Sequence, residues 1–185
     1  DLFRVFDCLN VAENMVPAIE EVAKTGKLCE AAICYSGDLT SPTESKYTLD
    51  YYLGLAKQFE AAGAHIIGIK DMAGLCKPAA ARALVTALRT ATDLPIHFHT
   101  HDTSGAAAAS VLAASDAGVD AVDAAIDSMS GVTSQPNLGS ISAALRHQER
   151  DTGLDPDALI AVTTYWEQVR KHYGPYESDI RAGTS

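Results

Sequence analysis

Apolar and polar positions along this chain fall into a repeating two-part pattern. Short apolar runs, LFRVF (2–6), CEAAICY (29–35), HIIGIK (65–70), PIHFHT (95–100) and DAVDAAI (120–126), read as β-strands. Between them lie longer segments whose apolar residues recur every three to four positions, the period of an amphipathic helix. Helices are predicted over 12–24, near 47–62, over KPAAARALVTALRTA, over SGAAAASVLAASDAG and near 138–147. Three of them run out in glycine, at Gly26, Gly63 and Gly118, the residue suited to a left-handed helix end. Pro78 falls in a first helical turn, where a missing N–H is harmless. Each strand is followed by one helix, which predicts parallel βα units. A further helix over 155–173 breaks the rhythm, because no strand follows it.

Two architectures accept five such units, an open doubly wound sheet and part of a (β/α)8 barrel. An open sheet that binds a nucleotide carries a glycine fingerprint after its first strand, and no GxGxxG occurs here. Polar residues collect instead at the C-terminal ends of the strands: Asp7 and Asn10, Tyr35 and Asp38, Lys70 and Asp71, His99 and His101, Asp127 and Ser128. A barrel builds its active site there. A complete barrel takes about 250 residues, and this sequence has 185. The expected fold is therefore α/β, a partial (β/α)8 TIM barrel with about five of eight βα units.

Composition narrows the partners. The sequence is 47% hydrophobic and 21% charged, with a net charge of -10. No basic stripe appears, which argues against nucleic acid as a partner. No apolar run approaches the ~20 residues of a membrane span, and the chain opens without a secretion-type leader. The cysteines, Cys8, Cys29, Cys34 and Cys76, form no CxxC pair. Reduced thiols and a cytoplasmic location are expected.

The candidate chemistry centres on PIHFHTHDTSG. His97, His99 and His101 alternate with other residues, so a strand points all three the same way. His99 and His101, at the strand end, are candidate ligands of one metal ion. His97 lies a layer deeper and reads equally as a packing residue with a satisfied ring. Lys70 ends the preceding strand, where burial demands a partner or a modification. Its alternatives are a lysine that reaches solvent, a Schiff base or acid–base lysine, and a carbamate able to ligate metal. Arg4 interrupts an apolar strand and reads either as a carboxylate anchor or as a structural ion pair. Asp123 and Asp127 flank the fifth strand end and are candidates for support or for a solvated face. The loop DSMSGVTSQPNLG can supply hydroxyl and amide contacts or serve as a long turn.

Taken in order, FRVFD, YSGD, IKDMAGL-KP, HFHTHDTSG and DSMSG-TSQPN-G resemble the carboxyltransferase domain of the pyruvate carboxylase family. The transcarboxylase subunit and the oxaloacetate decarboxylase alpha subunit share much of this pattern. The likeness runs from Asp1 to about Ser185, and YSGD with ESDIRAGTS places it nearest the carboxylases. The resemblance implies the C-terminal part of a carboxyltransferase TIM barrel over 1–150 and the start of a C-terminal helical funnel over 151–185. It implies a divalent metal, zinc or manganese, held by His99, His101 and a carbamylated Lys70. Arg4 would orient pyruvate, and Arg4 and Lys70 would be the catalytic residues. The activity implied is that of a ligase: carboxyl transfer from carboxybiotin, on a carrier domain elsewhere, to pyruvate, giving oxaloacetate. No membrane partner is implied, and the parent enzyme would be a homotetramer.

Two family motifs have no match. One is an RDAHQS-like strand whose aspartate is a fourth protein ligand. The other is a GGQYTN-like segment whose threonine shuttles the proton. The expectation is a piece of the enzyme that is inactive alone. The alternatives are the decarboxylase or transcarboxylase direction, another HxH barrel lyase or synthase, and a non-catalytic fragment.

Overall fold

The computed structural model describes residues 1–177, so all but the first residue of ESDIRAGTS lies outside the described residues. Five strands, β1 (Leu2–Val5), β2 (Leu28–Cys34), β3 (Ile66–Asp71), β4 (Ile96–Thr100) and β5 (Ala121–Val122), make one parallel sheet. Their spatial order is the chain order, β1 to β5. A doubly wound sheet reverses its order at a switch point. A sheet that steps one way throughout is an arc of a (β/α)8 barrel.

The connecting helices are α1 (Ala12–Lys24), α2 (Leu49–Ala61), α3 (Pro78–Ala91) and α4 (Ala107–Asp116), with α5 (Leu138–Leu145) following β5. The three predicted helix ends hold, with Gly26, Gly63 and Gly118 at φ of 67°, 96° and 93°. Side chains of Thr48 and Asn137 cap α2 and α5 by accepting from Tyr51 N and Ser140 N. α6 (Pro156–Tyr173) has Pro156 and Asp157 in its first turn and Arg170, Lys171 and His172 in its last, so acid and base match the helix dipole at its two ends.

Period-two alternation divides each strand between two environments. Cys29, Ala31, Ile33, Ile67, Ile69, Ile96 and Phe98 are buried against Met15, Ile19, Leu55, Phe59, Leu84, Leu88 and Val111 of the helices. Burial of each large side chain contributes about 1.5–3 kcal/mol. The intervening residues, Arg4, Glu30, Lys70, His97 and His99, point to the opposite, concave face. One row of alternate residues thus builds the core and the other the chemistry.

β5 is shorter than the predicted 120–126. Only Ala121 and Val122 form a ladder, opposite His97 and Phe98. Asp120 turns its carboxylate onto Ile96 N at 2.7 Å. Beyond Val122 the chain keeps single bonds, Asp123 N to Phe98 O and Ala125 N to Pro136 O. The backbone leaves the ladder where Asp123 reaches the histidines.

Candidate active site

The C-terminal strand ends carry the site. β3 and β4 are registered so that Lys70 stands opposite His99. The rings of His99 and His101 project to the same side, and their Nε2 atoms lie 3.2 Å apart. Each Nδ1 has a fixed partner. That of His99 is 2.7 Å from Asp123 Oδ2, and that of His101 is 2.7 Å from the Thr133 carbonyl. Carbonyl and carboxylate oxygens only accept, so both Nδ1 atoms carry the proton. In the neutral rings both Nε2 atoms then present lone pairs to each other, an arrangement satisfied by a shared cation. Two metal–nitrogen bonds of roughly 2.0–2.1 Å in tetrahedral or octahedral geometry separate their nitrogens by about 2.8–3.4 Å. The pair therefore fits a metal ion. Among the described residues, no group of three or more His, Cys, Asp or Glu converges on such a point, so further ligands must be of another kind or come from elsewhere.

Lys70 lies on the same face. Its Nζ sits 4.8 Å from the centroid of the Phe6 ring, and no carboxylate among the described residues pairs with it.

Two motif segments owe their composition to this end of the sheet. The fully buried Asp71 accepts hydrogen bonds from Leu75 N, Cys76 N and Thr100 Oγ1, at 2.9, 2.9 and 2.8 Å. It folds KDMAGLC into a loop against β4. Gly74, at φ 68°, has no room for a side chain: a Cβ there would meet the His101 carbonyl at 2.6 Å. On the other flank, Asp102 N donates to Ser134 O. Val132 between Gly131 and Thr133 holds φ at 52°, a strained value for a β-branched residue. This tight loop presents the Thr133 carbonyl to His101.

Below the histidine pair lies a cluster of four charges. Glu30 is 1% exposed. Its Oε1 is 2.7 Å from Arg4 Nε, off-line for a hydrogen bond but close as an ion pair. Its Oε2 is 2.9 Å from His97 Nδ1. His97 Nε2 is 2.9 Å from Asp123 Oδ1. Arg4 reaches Asp123 Oδ2 through Nη1 and Nη2, both at 3.2 Å. Arg4 Nη2 also lies 3.0 Å from His97 Nδ1. A carboxylate beside each ring nitrogen favours the charged ring over that close cation, and the cluster then balances two cations against two anions. Burial opposes the His97 charge, but the Asp123 and Glu30 hydrogen bonds overcome it and raise its pKa to about 9. Burial also opposes ionisation of Glu30 and Asp123, yet each is held below its ordinary range. His97 hydrogen bonds to both, His99 adds to Asp123, and the Arg4 charge assists.

This arrangement bears on Arg4. Its guanidinium faces Glu30, Asp123 and His97, which is the ion-pair geometry that one of its two readings expects. His97 is the deeper, satisfied ring. Of the two aspartates, Asp123 supports the histidines, whereas Asp127 accepts from Gly139 N at 2.7 Å and organises the loop before α5. Asp7 and Asn10 are turn builders. Asp7 Oδ2 accepts from Leu9 N and Val11 N, and the Asn10 amide bonds both backbone groups of Cys34 at 2.8 Å each. Sequence reading missed Glu30. The signal was present: a lone acid inside the apolar run CEAAICY, as Arg4 is a lone base inside LFRVF, and the two are register partners.

A protein-family model described as HMGL-like matches residues 6–165, and the chain belongs to that family. Within it, the chain is similar to pyruvate carboxylases. It is 53% identical over 178 residues to pyruvate carboxylase 1 of Caenorhabditis elegans, covering 96% of this chain and 15% of that protein. It is 48% identical over 182 residues to the Bacillus subtilis enzyme, covering 98% and 16%. The solved carboxyl transferase domain of Rhizobium etli pyruvate carboxylase superposes with a TM-score of 0.98 at 62% identity, covering all of this chain and 31% of that one. The chain spans about a sixth of the length of these curated relatives.

Proposed function

We propose that this chain forms the metal-bearing side of a carboxyltransferase barrel that moves a carboxyl group from carboxybiotin to pyruvate, giving oxaloacetate. The observation that supports it most is the His99–His101 pair, whose Nε2 lone pairs converge while both Nδ1 protons are held. The ligand set proposed is His99, His101 and Lys70 as a carbamate. A neutral amine and CO2 give that carbamate with release of one proton, turning the lysine into an oxygen donor. A divalent ion, zinc or manganese, would supply Lewis-acid stabilisation of the negative charge that develops on the pyruvate oxygen as its methyl group loses a proton.

The residues of this chain have their own tasks. The Asp123 carboxylate and the Thr133 carbonyl keep each ligating nitrogen unprotonated and aimed. Phe6 covers Lys70 and narrows its access to water. Arg4 holds Glu30 and Asp123, and the pyruvate carboxylate is proposed to be anchored by another residue. Rhizobium etli carboxyl transferase domain structures with pyruvate and biocytin, and with oxamate and biotin, support this substrate pair. Pyruvate and carboxybiotin on a carrier domain are accordingly the proposed partners, and a homotetramer the proposed assembly.

The barrel part is proposed to run over 1–150, with α6 opening the funnel. Among the described residues, no helix is long and apolar enough to cross a membrane. The four free cysteines support a reducing compartment. The cytoplasm is the compartment proposed, although the mouse and rat relatives are named as mitochondrial.

The test is elemental mass spectrometry of the purified full-length protein beside a His99→Ala, His101→Ala variant, with peptide mass analysis of Lys70. About one metal per chain that vanishes in the variant, with a CO2 adduct on Lys70, is the expected result. Metal retained by the double variant would overturn the assignment.

A further inference from the structure

We propose that Glu30 is a positioning residue for the metal centre. On this view the buried relay Glu30–His97–Asp123 sets the orientation of the His99 ring from beneath. The proposal rests on the metal reading above and extends it to residues that touch neither metal nor substrate.

Three observations converge. The first is continuity. Glu30 Oε2 to His97 Nδ1, His97 Nε2 to Asp123 Oδ1, and Asp123 Oδ2 to His99 Nδ1 are contacts of 2.9, 2.9 and 2.7 Å, crossing from β2 through β4 to the segment after β5 and back. Each carboxylate oxygen and ring nitrogen on this path has a named partner. The second is burial. Glu30 is 1% exposed, and an acid placed there for stability alone is poorly explained, because a buried ion pair roughly offsets its own desolvation. The third is space. Gly68 on β3 lies beside Glu30, and a Cβ at Gly68 would stand 2.4 Å from Glu30 Oε1 and 3.0 Å from Ala32 Cβ. The backbone there adopts no left-handed conformation, so the glycine is required by room rather than by its torsion angles. A strand interior that gives up a side chain in favour of a neighbouring carboxylate is built around that carboxylate.

The physical role follows from Asp123. It is shared by Arg4, His97 and His99. Glu30 draws Arg4 Nε and His97 Nδ1 toward itself, so Asp123 Oδ2, which also accepts from Arg4 Nη1 and Nη2 at 3.2 Å, keeps its shorter 2.7 Å contact for His99. Without the Glu30 charge, Arg4 and His97 turn on Asp123 alone and pull it off the His99 Nδ1 proton. The ring is then free to rotate or to move that proton to Nε2, the ligating atom. Outer partners of metal-ligating histidines typically contribute 10–100-fold in affinity.

The experiment uses the full-length protein with Zn2+ and Co2+ as the probes. Wild type, Glu30→Gln, Glu30→Asp, Gly68→Ala and the His99→Ala, His101→Ala variant are compared. The readouts are metal dissociation constant by chelator competition, the visible spectrum of the Co2+ form, and thermal unfolding without metal. The expected result is 10–100-fold weaker Zn2+ binding and an altered Co2+ spectrum in Glu30→Gln, with partial recovery in Glu30→Asp. Gly68→Ala keeps every charge but displaces the carboxylate, and should shift the Co2+ spectrum in the same direction. Wild-type affinity and an unchanged spectrum in a folded Glu30→Gln or Gly68→Ala would overturn the proposal while leaving the metal reading intact. Unfolding of both would assign Glu30 to the fold alone and overturn it equally. Absence of metal from wild type, or its persistence in the double histidine variant, would overturn the metal reading itself.

Discussion

Lys70 and His99 face each other directly across the β3–β4 pair. One is the lysine that ends HIIGIK, and the other ends the run PIHFH. This cross-strand pairing puts an amine and an imidazole at one height on the concave face.

If Lys70 becomes a ligand, its replacement removes a donor at the height of His99. Lys70→Ala in the full-length protein should lower oxaloacetate formation by roughly 100-fold or more. It should also reduce metal per chain, with little change in unfolding temperature because no ion pair is lost. Steady-state carboxylation assays beside metal analysis test this. Undiminished activity would dismiss Lys70 as a participant.

The close approach at Gly74 separates strain from crowding. Gly105→Ala places a side chain at φ 74° with nothing within 4 Å, so it meets only backbone strain, about 1 kcal/mol. Gly74→Ala adds a Cβ 2.6 Å from the His101 carbonyl at a similar φ. It should destabilise distinctly more and weaken metal binding, whereas Gly105→Ala should spare the metal. Denaturant titration of both variants, with metal analysis, gives the comparison. Equal losses would contradict it.

Asn10, with φ of 58°, pairs its side-chain amide with the backbone of Cys34 as a strand neighbour would. Asn10→Ala leaves a buried N–H and a buried carbonyl unpaired and should destabilise by about 2–4 kcal/mol. Asn10→Gly should do the same less the strain it relieves. Chemical denaturation decides. A loss below about 1 kcal/mol would mean water replaces the amide.

Asp38 titrates where the YSGD loop meets α3. Its hydrogen bond from Lys77, 2.6 Å, and those from Thr40 lower its pKa to about 2. A carboxyl lowered on folding adds stability above its unfolded pKa, and the contribution is lost as pH falls through the folded value. The loop should therefore hold at pH 5 and loosen toward pH 2. Lys77→Ala should return the Asp38 titration toward the ordinary aspartate range. Carboxyl-carbon NMR of the two proteins checks it, and an unmoved midpoint would exclude Lys77 as the cause.

What the sequence made legible was whatever repeats. The alternation in PIHFHT and the three-to-four period of KPAAARALVTALRTA each report one face of one element. The order of the strands, the five βα units and the histidine pair follow from them. What it concealed depends on contacts between distant segments. Glu30 has meaning only once Arg4, His97 and Asp123 surround it, and those partners are up to 93 residues away, as Asp123 is. Arg4 was readable as a charge in an apolar strand, but its direction of use was decided by Glu30 across β2. β5 appeared longer in sequence because DAVDAAI has strand-like spacing, while the Asp120 side chain takes Ile96 N before the ladder begins and the chain leaves the ladder where Asp123 turns to the histidines. Tyr35 looked like a polar strand end, yet it is buried and stacks on Tyr52 at 5.5 Å.

The two-environment strands also bear on how this gene can change. Phe98 belongs to the core and His97 and His99 to the concave face, so one inserted or deleted codon within β4 would send imidazoles into the core and a phenyl ring toward the site. Stability and chemistry would fail together. Substitutions touch one row at a time, so the helix-facing residues can drift among apolar types of similar volume while the other row keeps its composition. The strands of this sheet are thus open to gradual replacement and closed to changes of length, which must accumulate in loops such as SGDLTSPTES.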